Sequence, residues 1–276
     1  MRRARTLFWV STGLLAMALA GAARADWDPG DPHKMHHPQL PDLGPLGMDV
    51  NASGLNILAD DFKCTWTGPI TDIHIWGSWL GDRLPIPAVG GTGDPKAVAF
   101  TLSIHEDIPA GPDTFSRPGE QIWGWTFQPG EFQVRCYRTD IMEGWYDPAE
   151  PQYIPSQPPE GPADTMCWQY NFFLDPVVAA RQEEGKIYWL DLRAVPMDDE
   201  ALFGWKTTLP DLHWNDDAVW DWGSELPRFW RPMTYPDGHD LEGRTLDLAF
   251  VITPEPATLA LMGLGLAGLL ARRRRK

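Results

Sequence analysis

The chain has 276 residues, 23 of them Lys or Arg and 38 Asp or Glu, for a net charge of −15; that length suits one large β domain or two small ones. Between 26 and 253 it carries 14 basic and 37 acidic residues, a net −23, which argues against a nucleic-acid or anionic-lipid partner, suits a soluble exported domain and could attract Ca²⁺.

Residues 1–25 read as a signal peptide. Arg2, Arg3 and Arg5 precede an apolar stretch over 7–20, and Ala23 and Ala25 occupy the two small-residue positions a signal peptidase reads, which places cleavage before Asp26. Residues 26–48 are rich in Pro, Gly and Asp and show no periodicity, so they are expected to be irregular. Within them His33, His36 and His37 lie near Asp31, a spacing at which imidazoles can take Zn²⁺ or Cu²⁺.

From residue 49 to 253, short alternating stretches recur between turn signals. In "AVAFTLSIH", Val98, Phe100, Leu102 and Ile104 fall on one face. "IYWLDLRAV" and "TLDLAFVI" alternate in the same way, and further strands are predicted over 61–66, 70–79, 121–127, 131–138 and 167–174. His74 and His105 fall on the more polar faces of their strands and are expected at the surface. The stretch 146–164 holds six prolines and reads as a long extended loop rather than a domain boundary. Asp175-Pro176 before "VVAARQEE" predicts one short capped helix. The pattern is all-β: an antiparallel β-sandwich, jelly-roll-like, with a barrel as the main rival.

The end of the chain has three parts in order. Pro254-Glu255-Pro256 is followed by fifteen uncharged residues, 257–271, and then by the basic run 272–276. At 1.5 Å per residue the apolar run gives about 22 Å of helix, short of the ~30 Å hydrocarbon core. It predicts a weak transmembrane helix with its basic end held in the cytoplasm. The arrangement closely resembles the PEP-CTERM sorting signal. That resemblance implies processing near Pro254, Glu255 and Pro256 by an exosortase, a membrane-embedded cysteine transpeptidase, and delivery from the inner membrane to the cell surface or extracellular matrix. The body, through "ILADDFKCTWTGPITDIHIWGSWLGD", "IYWLDLRA", "FGWKTT" and "HWNDDAVW", resembles a domain of unknown function recurrent in exported bacterial proteins. This second resemblance implies no activity and no site residues.

Candidate chemistry in the body is sparse. Phe62, Cys64 and Trp66 share one strand parity, as do Phe132, Val134 and Cys136, so Cys64 and Cys136 are the candidate disulfide, with Cys167 left over. Acidic pairs at Asp60-Asp61, Asp198-Asp199 and Asp216-Asp217 offer oxygen ligands; Asp216 and Asp217 are the candidates for a structural Ca²⁺, and no other cofactor is expected. No nucleophile elbow, phosphate loop or HExxH sequence occurs, so no catalytic residue is assigned. Tryptophan is in excess, with 15 in the chain. "HWNDDAVWDW" interleaves Trp214, Trp220 and Trp222 with Asp216 and its neighbours, an aromatic and polar mixture that suits stacking on sugar rings. Trp76 and Trp79 are secondary candidates. The expected role is therefore structural or adhesive, through exopolysaccharide; a polysaccharide-active enzyme and a Ca²⁺-dependent adhesion module are the alternatives.

Overall fold

A computed structural model of the protein describes residues 26–156, 163–223 and 226–254. The signal peptide with Ala23 and Ala25, the residues Glu255 and Pro256, the apolar run 257–271 and the basic tail lie outside the described residues.

Among the described residues fifteen strands follow one another: β1 (Met48–Asn51), β2 (Asn56–Lys63), β3 (Gly68–Pro69), β4 (Asp72–Trp79), β5 (Val98–Ile108), β6 (Arg117–Phe127), β7 (Gln133–Asp147) and β8 (Gln152–Ile154), then β9 (Asp164–Phe173), β10 (Arg181–Gln182), β11 (Ile187–Pro196), β12 (Phe203–Lys206), β13 (Val219–Trp222), β14 (Arg231–Pro232) and β15 (Phe250–Thr253). One large sheet runs β14-β13-β2-β11-β5-β6. The other runs β1-β12-β4-β9-β7-β8, with β15 added against β4. In this second sheet β1 lies antiparallel to β12 and parallel to β7, so β1, β12, β4, β9 and β7 close a ring. The fold is all-β, and it joins two large sheets with a barrel-like closure.

Alternation places the core. Val98, Phe100, Leu102 and Ile104 of β5 are all fully buried on one face. Phe100 is the meeting point of the two sheets, with its ring 4.9 Å from Tyr170, 5.5 Å from Phe172 and 5.0 Å from Phe203. Truncating such a residue to alanine costs about 3–5 kcal/mol. A second, smaller apolar cluster of Ile57, Ala59, Trp189, Val219 and Trp230 covers the far face of the six-stranded sheet.

Three expectations are corrected here. Among the described residues there is no α-helix, only short 3₁₀ turns at Leu80–Asp82 and Pro210–Leu212. At Asp175 the cap does form, its Oδ1 accepting from Val177 N at 2.8 Å. The chain makes a single turn there before Arg181 and Gln182 are drawn into pairing with Pro69 and Gly68; strand pairing wins over a short segment with two β-branched valines. His74 and His105 are buried, at 1% and 5% exposure, because both sheets are covered on their second faces. Trp27 packs edge-on against Trp76 at 5.8 Å, and Arg135 holds Trp27 O and Asp28, so the irregular N-terminal stretch is strapped over the larger sheet. Trp76 and Trp79 are likewise fully buried, which removes them as ligand-stacking residues.

Candidate functional site

β13 sets up the most suggestive surface. Its alternation buries Val219 and Asp221 on the face covered by the smaller apolar cluster and leaves Trp220 half-buried and Trp222 42% exposed on the other side. Trp220 pairs in register with Arg231 of β14, whose guanidinium lies 4.7 Å over the indole ring. Beyond β14 the chain reverses through Gly238 and Gly243, both at positive φ (85° and 73°) that favours glycine. There Gly238 N donates to Glu242 Oε2 at 3.0 Å. This reversal faces Tyr146 of β7 and Tyr153 of β8.

Between them lies a cleft of about 390 Å³, lined by Tyr146, Tyr153, Trp220 and Tyr235, with the exposed carboxylates Asp237 and Glu242. A recess of about 140 Å³ shares Tyr153 and adds His239 and Asp240. Burial, with Asp147 and Asp237 nearby, pushes the Tyr146 hydroxyl above its usual range; burial and Asp240 do the same for Tyr153. Both phenols therefore stay neutral donors. Aromatic faces beside carboxylate acceptors are what a flat polyhydroxylated ligand requires. Among the described residues, the lining holds no Ser, Cys or His.

Of the three tryptophans singled out from sequence, the cleft takes Trp220. Trp222 is exposed but does not line it. Trp214 lies elsewhere, stacked on His36 with ring centroids 4.0 Å apart, while its backbone N donates to Asp247 Oδ2 at 2.7 Å. Sequence reasoning missed Tyr146, Tyr153, Tyr235, Asp237 and Glu242; the one local signal was "YPDGHDLEG", a turn-forming stretch just after the tryptophan-rich one.

The Ca²⁺ candidates are tied to other groups. Asn215 Nδ2 donates to both Asp216 Oδ2 and Asp61 Oδ2 at 2.6 Å, so an amide stands where a cation would bridge them. Asp217 Oδ1 lies 3.9 Å from His213 Nε2. Burial pushes Asp61 up to about 9, and Asp247 and Asp216 add to the shift. The histidines of the N-terminal stretch stay close together, with the His36 and His37 rings 4.2 Å apart, but each is tied to a separate partner: His33 Nδ1 meets Met35 O, His37 Nε2 meets Leu212 O, and His36 Nδ1 accepts from Lys63 N. Burial, with His37 and His33 beside it, holds His36 down at about 3. Among the described residues, the acidic, His and Cys side chains close enough together to share an ion are Asp49, Glu143 and Asp164.

The proposed Cys64–Cys136 disulfide is absent, and all three cysteines are free. Cys64 is buried with its thiol donating to Trp66 O, whereas Cys136 is exposed. Cys136 keeps the parity of Val134 and pairs in register with Trp168, with the register shifting only after it; this part of β7 is largely uncovered, so shared parity does not carry Cys136 into the core. Of the predicted processing residues, Asp26 accepts from Asn171 Nδ2 at 2.8 Å, and Pro254 directly follows β15 and is buried.

Comparison with known families gives two matches. The profile of a domain of unknown function, DUF7901, matches residues 35–253, and the PEP-CTERM protein-sorting motif matches residues 253–276. No curated protein and no solved structure matches the chain.

Proposed function

The chain belongs to the DUF7901 family and carries a PEP-CTERM sorting motif, and from that premise we propose that it is a non-catalytic surface protein that holds exopolysaccharide in its aromatic cleft. The motif marks an exported substrate of an exosortase. After removal of the leader by signal peptidase, the body faces the outside, and the tail is its one contact with the membrane until it is processed. The two facing sheets read as a sandwich of jelly-roll type, a scaffold that carries a binding face without needing a resident cofactor.

The observation that carries the binding role is the convergence of Tyr146, Tyr153 and Trp220 with Asp237 and Glu242 on one cleft. Stacking on sugar rings uses the aromatic faces, and the two exposed carboxylates accept hydroxyl hydrogen bonds. The strongly negative body favours neutral or Ca²⁺-bridged polysaccharides over polyanionic ones.

The test is titration of the purified protein with exopolysaccharide from exosortase-bearing bacteria, backed by a glycan array. Trp220→Ala and Tyr153→Ala are expected to weaken binding about tenfold, or ~1.4 kcal/mol, without unfolding the protein. A blank array, or binding that both variants leave intact, counts against the cleft. Depolymerisation of any of these polysaccharides would replace the binding role with an enzymatic one.

A further inference from the structure

Four ionisable side chains meet in one dry place on the larger sheet. Asp49 of β1 lies in register opposite Lys206 of β12, and Glu143 of β7 lies opposite Asp164 of β9. Lys206, Asp49 and Glu143 have no exposed surface, and Asp164 has 1%. Lys206 Nζ contacts both Asp49 Oδ2 and Glu143 Oε2, and Ser78 Oγ donates to Glu143 Oε2 at 3.3 Å. Asp49 Oδ1, Glu143 Oε1 and both Asp164 oxygens find no donor. The three carboxylates are close enough together to grip a cation, but the Lys206 ammonium already stands there.

One ammonium cannot neutralise three carboxylates away from water, and such an imbalance is resolved by protons. Burial pushes Asp49 up to about 7, and burial with Asp49 and Glu143 beside it pushes Asp164 well above its usual range. Near neutral pH the cluster thus holds an ammonium, a carboxylic acid in contact with it, and a second carboxyl touching the ammonium. These are the reactants and the proton carrier of an amide condensation, held at the proximity that makes such a step fast.

We propose that Lys206 and Asp49 join in an intramolecular isopeptide bond, with Glu143 carrying the protons. Glu143 first takes a proton from the Lys206 ammonium. The freed Nζ lone pair attacks Cγ of the Asp49 acid, and the carbonyl π pair moves onto oxygen, where the Glu143 acid donates a hydrogen bond. Glu143 then gives its proton to the departing hydroxyl, and one water leaves as the carbonyl re-forms. The amide nitrogen returns its surplus proton to Glu143, which ends neutral. The ammonium charge and the Glu143 charge both disappear, so the product suits a dry site better than the reactants do. The bond spans 157 residues of chain and gives an exported protein with three free cysteines a covalent closure of another kind.

Peptide mapping by mass spectrometry of the purified full-length chain decides the matter. The expected result is a branched tryptic peptide joining the Lys206 and Asp49 segments, lighter than their sum by one water, uncut after Lys206, and a chain that migrates faster than its linear form in denaturing gels. Asp49→Asn should give the same branched peptide with loss of ammonia instead of water. Glu143→Gln, if folded by circular dichroism, should give linear peptides only. Recovery of the wild-type Lys206 peptide in linear form from folded protein would overturn the proposal, whichever variants fold. A branch at Glu143 instead of Asp49 would overturn the assignment of roles.

Discussion

The imidazole of His36 lies flat on the indole of Trp214, with ring planes 22° apart. One face of that tryptophan is therefore occupied by the protein itself, and its backbone N is bound to the buried Asp247. Trp214→Ala is expected to lower stability by about 2–3 kcal/mol, somewhat below the loss for a fully buried tryptophan. Its carbohydrate binding should match wild type in protein that remains folded. Chemical denaturation beside a binding titration separates it from Trp220→Ala, which should show the opposite pair of effects.

Asp61 predicts an alkaline weakness. Its carboxyl is held up at about 9 by burial, against an ordinary value near 4. An acid protonated in the fold and ionised in the unfolded chain stabilises the fold at low pH. That contribution fades as pH rises from about 4 towards 9. Urea midpoints should therefore fall between pH 7 and pH 9, and Asp61→Asn, which keeps an acceptor for Asn215, should flatten the fall.

Two histidines act in the acid direction. Burial holds His36 at about 3 and His74 at about 4, so both are neutral in the fold while the unfolded chain protonates near 6.5. Their contribution is present above that value and is lost as pH drops towards the folded values. By pH 5 the loss is roughly 2 kcal/mol for each ring. Comparing wild type with His74→Asn at pH 7 and pH 5 isolates the effect: the gap between them should shift by about that amount in the variant's favour.

Thiol chemistry checks the cysteines. Cys136 is exposed, whereas Cys64 and Cys167 are buried and burial raises both thiols. In native protein a thiol reagent should label Cys136 alone, with Cys64 and Cys167 following on unfolding. Reducing agent should leave the melting temperature unchanged. Consumption of no thiol at all, even after unfolding without reductant, would contradict the free cysteines.

Replacing Pro254, Glu255 and Pro256 by alanine should block sorting. These residues belong to the sorting motif matched over 253–276, the part of the chain an exosortase substrate presents for processing. Cell fractionation followed by immunoblotting should find the unprocessed variant in the membrane, where the wild type matures. Equal maturation of both would remove the motif's role.

The strands easiest to read from sequence were those with one apolar and one polar face, such as β5 and β11, whose alternation carries through to full burial of Val98, Phe100, Leu190 and Leu192. β1 and β12 were missed for the converse reason. Asp49, Asn51, Gly204 and Lys206 look like loop residues, yet their side of the sheet is dry and charge-paired. His74 was misplaced because nothing in its strand announces that Trp27 and its neighbours will fold back across that face. The cleft was half legible: Trp220 stood out by composition, but Tyr146 and Tyr153 reach it from strands 67 or more residues earlier, and no local pattern links them. Cys136 shows that parity fixes which side of a strand a residue takes but not whether anything covers it there.

The double pairing of β1 bears on how copies of this protein behave when crowded. A strand bonded on both flanks offers no row of free amides to a neighbouring molecule, so the ring cannot be extended by strand addition. Where flanks stay open among the described residues, they are poor templates: β8 has three residues, β14 has two and ends in Pro232, and β6 contains Pro118 and meets β5 through two register shifts. Dense display on a surface should therefore leave the molecules as separate units, free of fibre-like stacking.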